Sequence, residues 1–416
     1  MIIKLIKSNF HILGFIILYS TIIFGFYVDE NITAGPKLDF YHMLKQVSQF
    51  ENNFLGTLLN FDKIDSPTRI SPIFISIIFF FKKFFTDINS LRFFFLNILF
   101  LNQFFFYLCL KELYSKFIDT KKLLLISLVI FISPSFRANI IWPESAMLGL
   151  LFFLIGLYFF LKNTNQFNKK NVVLNILFVA LASYIRPSYC LFAIYFFLDL
   201  LVKKKNYEIV FLSILLNLVL AFPAIYYTFV LDIFFIGFTD SEGLNFNYFN
   251  KIGIILSIIF FHLFPFLIYK QFSLNFLKNI KIILVSLIIS IFIVLNFDYD
   301  LDYSGGGILL HFSNFIFDNN YLFYFFIPIT IFLTIELVNK NKLNNFIIIL
   351  ILLFITPQYH IFHKYYDPLV IVLAFTLIDF KSKYLIYGQN KFIYTLYIYN
   401  VAYYFINFLN NLYIKF

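Results

Sequence analysis

"FHILGFIILYSTIIFGFYVDEN", residues 10–31, decides the fold class. It runs to residue 28 without a charged side chain and then meets two adjacent carboxylates, Asp29 and Glu30. An uncharged run of this length suits a helix crossing a hydrocarbon layer about 30 Å thick. Lys4 and Lys7 precede it, as in a secretory signal, but the apolar stretch is long and no small-x-small cleavage site follows before Asp29. The run reads as a retained first helix.

The pattern recurs at 143–161, 207–231, 250–269, 281–297, 321–338 and 344–357. The 416 residues are 61% hydrophobic and only 13% charged, with a mean hydropathy of +0.85. No ordinary soluble fold hides so much apolar surface. The expected fold is an all-α polytopic membrane protein with about 11 to 13 crossings. Alternating strands of the outer-membrane barrel type are absent. The chain reads as one integral-membrane domain, 1–416, with a core module at 10–200, an outer loop at 29–69, further spans at 201–383, and a final span or interfacial helix at 384–416.

Cys109 and Cys190 both lie in apolar runs, so neither a disulfide framework nor a thiolate metal site is indicated. The 65 phenylalanines, with few Ala and Gly, match the amino-acid bias of an AT-rich genome. "FFFKKFF" and "RFFFLN" accordingly read as lipid-facing filler. The net charge of +10 does not call for nucleic acid, because the basic residues collect in short connectors.

Those connectors, 162–171, 203–206, 270–281, 339–344 and 381–383, carry Lys and no Asp or Glu. By the positive-inside rule they are cytoplasmic, as is the N-terminus, which suits a bacterial inner membrane. The acidic connectors then face outward, so most groups able to do chemistry share one side. "KELYSKFIDTKK" (111–122) breaks simple alternation, which implies that 70–85 or 90–110 does not fully cross or that 123–135 is short and tilted. No internal repeat and no inverted pair of broken helices of the transporter kind is present.

Asp29 and Glu30 open the longest outer loop. Within it, Leu38, Tyr41, Met43, Leu44, Val47 and Phe50 have helical spacing that suits a segment lying flat on a membrane, and Asp39 and His42 share that segment. A partly desolvated carboxylate there can serve as a general base. In "FRANIIWPESAML", Trp142 suits an interfacial belt, and Pro143 and Glu144 suit a helix N-terminus. Arg186, in "ASYIRPSYC", lies between apolar stretches, where an arginine is costly unless paired or facing a polar cavity. "DYDLDYSGGGILLH" joins Asp298, Asp300 and Asp302 to three glycines and His311; the glycines permit a tight turn, and the acidic run is a weak metal signal. "HIFHKYYDP" spaces His360, His363, Lys364 and Asp367 to share one helical face if a helix already runs there, although Pro368 suggests a helix start nearby; the group reads as a cationic cluster suited to phosphate.

In order, "YVDEN" after the first span, the long outer loop, "SPTRISPIFISI", "ISPSFRANIIWPESAMLGLLFFLIGLYFFL" and "SYIRPSYCLF" resemble the GT-C superfamily of integral-membrane glycosyltransferases over residues 10–200. More distantly, "HKY" at 363–365 is similar to a late segment of the dolichyl-phosphoglucose α-1,2-glucosyltransferases, although the motif that follows it in that family is replaced here by "YDPLVI". The resemblance implies a polyprenyl-phosphate sugar donor, a lipid-linked or envelope-glycan acceptor, and Asp29 as catalytic base with Glu30 its neighbour. It places Arg69, Arg186, His363 and Lys364 near the donor phosphate. Asp39, His42, Glu144, His311 and Asp367 are further candidates for substrate contact. A divalent cation is the one cofactor left open. The competing classes are a transporter or flippase of lipid-linked substrates, which calls for charges within the spans, and an envelope-polymer polymerase or ligase, which calls for a large late outer loop.

Overall fold

The computed structural model describes all residues except 1, 34, 65–69, 205–206, 234–246, 269–279, 302–304, 381–386 and 414–416. Among the described residues the secondary structure is helical, with no β-strand. Six helices among the described residues are long and apolar enough to cross a membrane: Phe10–Tyr27, Ile88–Tyr114, Ser145–Asn165, Tyr207–Phe229, Tyr248–Ile268 and Tyr321–Lys340. A seventh crossing arises if Thr120–Ile132 and Pro134–Ile141, bent by 70° at their junction, count as one. The chain is a multi-pass membrane protein.

The sequence expectation of about 11 to 13 spans counted apolar runs, and several runs form helices too short to cross unaided. Run 70–85 forms only Pro72–Lys82, 11 residues long, which rises about 16 Å. Runs 281–297 and 344–357 likewise give Ile280–Leu295 and Lys342–Phe354. Of the options raised by the basic segment 111–122, the structure shows a truncated 70–85 helix and a bent 120–141 pair.

The chain forms two compact units, Met1–Ser241 with Asn400–Phe416, and Glu242–Tyr399.

In the first unit, α1 (Ile2–Tyr27) precedes α2 (Gly35–Asn52), α3 (Phe54–Leu59) and α4 (Pro72–Lys82). The described part of the 29–69 stretch is thus helical over most of its length. Phe40, Met43, Val47 and Phe50 form the buried face of α2, which packs on α4, while Leu38 and Tyr41 stay exposed. α4 starts cleanly because Ser71 Oγ accepts the Ile73 N–H at 3.2 Å and Pro72 occupies the first turn. α5 (Ile88–Leu99) is capped in the same way by Asp87, and α6 (Leu101–Tyr114), α7 (Thr120–Ser127) and α8 (Pro134–Ile141) follow. α9 (Ser145–Asn165) and α10 (Lys169–Ile185) pack closely: Gly156 lets Val179 approach, and Asn175 Nδ2 donates to the Gly156 carbonyl at 3.0 Å. α11 (Leu191–Lys204) and α12 (Tyr207–Phe229) complete the run.

In the second unit, α13 (Tyr248–Ile268) is the central helix, packed against α14 (Ile280–Leu295), α15 (Gly307–Phe317), α16 (Tyr321–Lys340), α17 (Lys342–Phe354) and α18 (Leu369–Phe375). Gly306 and Gly307 take φ of +94° and +75° to turn into α15, the tight turn expected of the glycine run. α19 (Asn390–Tyr413) begins in this unit and ends in the first.

Candidate functional site

Asp29 terminates α1. Its N–H donates to the Phe26 carbonyl at 3.2 Å, and the Glu30 N–H reaches back to Gly25 at 2.8 Å, the pair of bonds that closes a helix through a left-handed residue. That residue is Asp29, with φ of +53°, where glycine is usual. A side chain held there costs on the order of 1 kcal/mol or more, and such strain concentrates at functional positions.

The conformation turns the two carboxylates apart. Asp29 points outward, with its side chain 51% exposed, and accepts a 3.0 Å bond from Arg92 Nη2. Lys37 Nζ stands 3.8 Å away on its other oxygen. Glu30 turns inward, its side chain 9% exposed, and takes a two-pronged grip from Arg137, whose Nε and Nη2 lie 2.8 and 2.7 Å from its two oxygens. Arg137 also donates to the Thr21 carbonyl and hydroxyl, and Tyr404 stands within its reach. Glu30 is held on both oxygens and ties α1 to α8. Asp29 keeps an exposed edge for a ligand.

Trp142 links these pairs. Its indole N–H donates to the Glu30 carbonyl at 3.1 Å, and the Arg92 guanidinium stacks on its ring at 3.4 Å. Arg92 Nε also donates to Ile141 O at 3.2 Å, and its Nη1 to Asn89 at 2.9 Å. Trp142 is 1% exposed. The sequence reading placed it in an interfacial belt; the structure buries it, because its face is covered by a cation and its N–H is satisfied within the protein.

Arg92 is the principal residue that sequence reasoning missed, since "RFFFLN" reads as filler. Phe93 is indeed exposed, but Arg92 and Phe95 are buried. The available signal was the cost of an arginine in an apolar run, which implies a partner. Arg137 and Lys37 likewise carried no role from the sequence.

Other expected residues fall into three groups. Arg186 caps the end of α10, half-buried, with its Cβ against Gly149 in the second turn of α9; it therefore lies at the same end of α9 as Trp142 and Glu144. Glu144 is buried at the start of α9, as its helix N-terminal reading implies, and Asp39 and His42 lie on α2. His311, His363, Lys364 and Asp367 belong to the second unit. Arg69 lies outside the described residues.

No helix runs through 360–367, so His360, His363, Lys364 and Asp367 do not share a helical face, and the start that Pro368 suggests is the one observed. Only a short turn, His363–Tyr365, stands there, and the next helix begins at Leu369 after Pro368. His363 Nε2 meets His262 Nε2 at 3.0 Å, so one ring donates and the other accepts. Burial, reinforced by His262, pushes His363 down to about 3, against the opposing pull of Asp367. The cationic expectation asks for charge at His363, and this environment argues for a neutral ring. Lys364 keeps its ammonium 5.7 Å from the rings of Phe362 and Tyr365. His311 Nε2 lies 2.5 Å from the Gly305 carbonyl. Of the acidic run, Asp298 Oδ1 receives the side-chain amides of Asn247 and Asn250 at 2.6 Å each, and Asp302 is outside the described residues. Among the described residues no three His, Cys, Asp or Glu side chains converge as metal ligands.

Compared with protein-family models, with curated proteins and with solved structures, the chain matches none of them.

Proposed function

We propose that the chain is a membrane glycosyltransferase of the GT-C kind, which moves a sugar from a polyprenyl-phosphate donor to a lipid-linked or envelope-glycan acceptor with inversion. The observation that carries this reading is Asp29: a strained, half-exposed carboxylate at the end of the first span, oriented by a buried arginine. Its exposed edge suits an acceptor hydroxyl. Asp29 takes the hydroxyl proton as the oxygen attacks the anomeric carbon; the bond from that carbon to phosphate breaks, and the polyprenyl phosphate departs with the electron pair.

The leaving phosphate needs cations placed in advance. Arg186, at the same end of α9, and Lys37 are the candidates within the first unit. Lys364 and Arg69 remain phosphate candidates on the resemblance alone. Glu30, with both oxygens bound by Arg137, serves in this reading as a support for Asp29. The basic connectors support an outward-facing site, in a reading that puts the chain in a bacterial inner membrane.

The test is to incubate the purified protein with a polyprenyl-phosphate hexose and a lipid-linked acceptor, and to measure released polyprenyl phosphate. Release that depends on Asp29 supports transfer. Movement of intact donor across vesicles without release would favour a flippase.

A further inference from the structure

At the far end of α9 from Asp29 lies a cavity of about 320 Å³, walled by α9, α10, α11 and α12. With a rise of about 1.5 Å per residue, Asn163 stands about 27 Å along α9 from Ser145, nearly a membrane thickness away. The cavity is therefore separate from the candidate site.

Its walls are mostly apolar, with Phe160, Ile176 and Leu200 among them, yet four asparagines line it. The hydrogen bonds inside the protein use only part of their capacity. Asn163 Oδ1 accepts from the Asn168 N–H at 2.9 Å, which leaves its Nδ2 as a donor. Asn175 and Asn217 spend Nδ2 on the Gly156 and Ser213 carbonyls at 3.0 and 2.8 Å, which leaves two amide oxygens as acceptors. Asn171 is 7% exposed, lines the cavity, and among the described residues its side chain makes no hydrogen bond. Its amide therefore offers both a donor and an acceptor to a ligand in the cavity.

This mixture of donors and acceptors selects the ligand. A hydroxyl both donates and accepts, so a polyol satisfies Asn163, Asn171, Asn175 and Asn217 together. A phosphate only accepts; it would meet amide oxygens and the Asp199 carboxylate, with no cation among the described lining residues. The surroundings choose between a free polyol and a lipid. α12 turns Ser213 and Asn217 to the cavity and exposes Phe211, Leu218 and Phe222 on its other side, so that wall borders the hydrocarbon.

We infer that this cavity is a binding site for an uncharged, hydroxyl-bearing lipid headgroup, glycosyl or glycerol, entered from the membrane beside α12. The test uses the full-length protein in detergent, titrated with monoglucosyl dioleoylglycerol and followed by native mass spectrometry. The expected result is one saturable lipid, weakened about tenfold by Asn171→Leu and by Asn175→Leu, with thermal melting unchanged in Asn171→Leu. Dioleoyl phosphatidylcholine, which has no hydroxyl, should bind weakly and respond to neither substitution. Methyl glucoside competing as well as the lipid would overturn the lipid assignment. No saturable binding, or binding by both variants as tight as that of the wild type, would overturn the site. Should the Asn variants fail to fold, Ala193→Phe, which fills the cavity from its wall, should expel the lipid.

Discussion

The guanidinium of Arg92 lies 3.4 Å from the ring centroid of Trp142, the chain's single tryptophan, while its Nη2 holds Asp29 at 3.0 Å. One planar group thus stacks on the indole, binds the Ile141 carbonyl and Asn89, and orients the candidate base. Lysine keeps the charge but neither the plane nor the fork of donors. Arg92→Lys is expected to lower transfer about 10- to 100-fold, the cost of a misplaced base. The same substitution should shift Trp142 emission to the red as water reaches the ring. Unchanged emission with unchanged transfer would remove Arg92 from the site.

Asp29 carries two separable properties, a backbone conformation and a carboxylate. Asn tolerates the left-handed region and keeps a hydrogen-bond acceptor toward Arg92, so Asp29→Asn should leave the melting temperature nearly unchanged. Loss of the base should lower the rate of transfer about 10²- to 10⁴-fold. A folded, active Asp29→Asn protein would exclude Asp29 as the base.

The inward pair behaves differently. Breaking a buried ion pair from one side leaves an uncompensated charge, typically at a cost of about 3 to 5 kcal/mol. Glu30→Gln and Arg137→Met are each expected to lower the melting temperature, and the double substitution should cost less than the sum of the two. Glu30→Gln should retain activity per folded molecule. Loss of turnover in protein shown to be folded would move the base to Glu30.

The first helix, the long span at Ser145–Asn165 and the charge break at Asp29 were legible because each depends on local composition. Helix identity follows from an unbroken apolar run, and the run stops where the charges begin. The contacts that build the site were not legible, because Arg92 and Asp29 stand 63 residues apart and Arg137 and Glu30 stand 107 apart. No periodicity links such partners. Trp142 was misread for a related reason: an indole at a span boundary fits a lipid interface equally well until the stacked arginine is known. At 360–367 the local signal was the better guide: Pro368 disfavours helical backbone at the residue before it, and the helix starts just after it, at Leu369.

His363 provides a titration in the second unit. It meets His262 directly, with His311 and Asp367 also acting on it, and burial pushes it down to about 3 from an ordinary 6.5. The folded state therefore holds this ring neutral, while the unfolded chain protonates it near pH 6.5. Because the folded pKa is the lower one, the contribution is fully present above about pH 6.5 and is lost progressively as pH falls toward 3. The purified protein should melt at a lower temperature at pH 5 than at pH 7.5. His363→Gln, which keeps a donor and an acceptor for His262 but does not titrate, should shrink that difference. An identical acid-side decline in wild type and His363→Gln would assign the sensitivity to other groups.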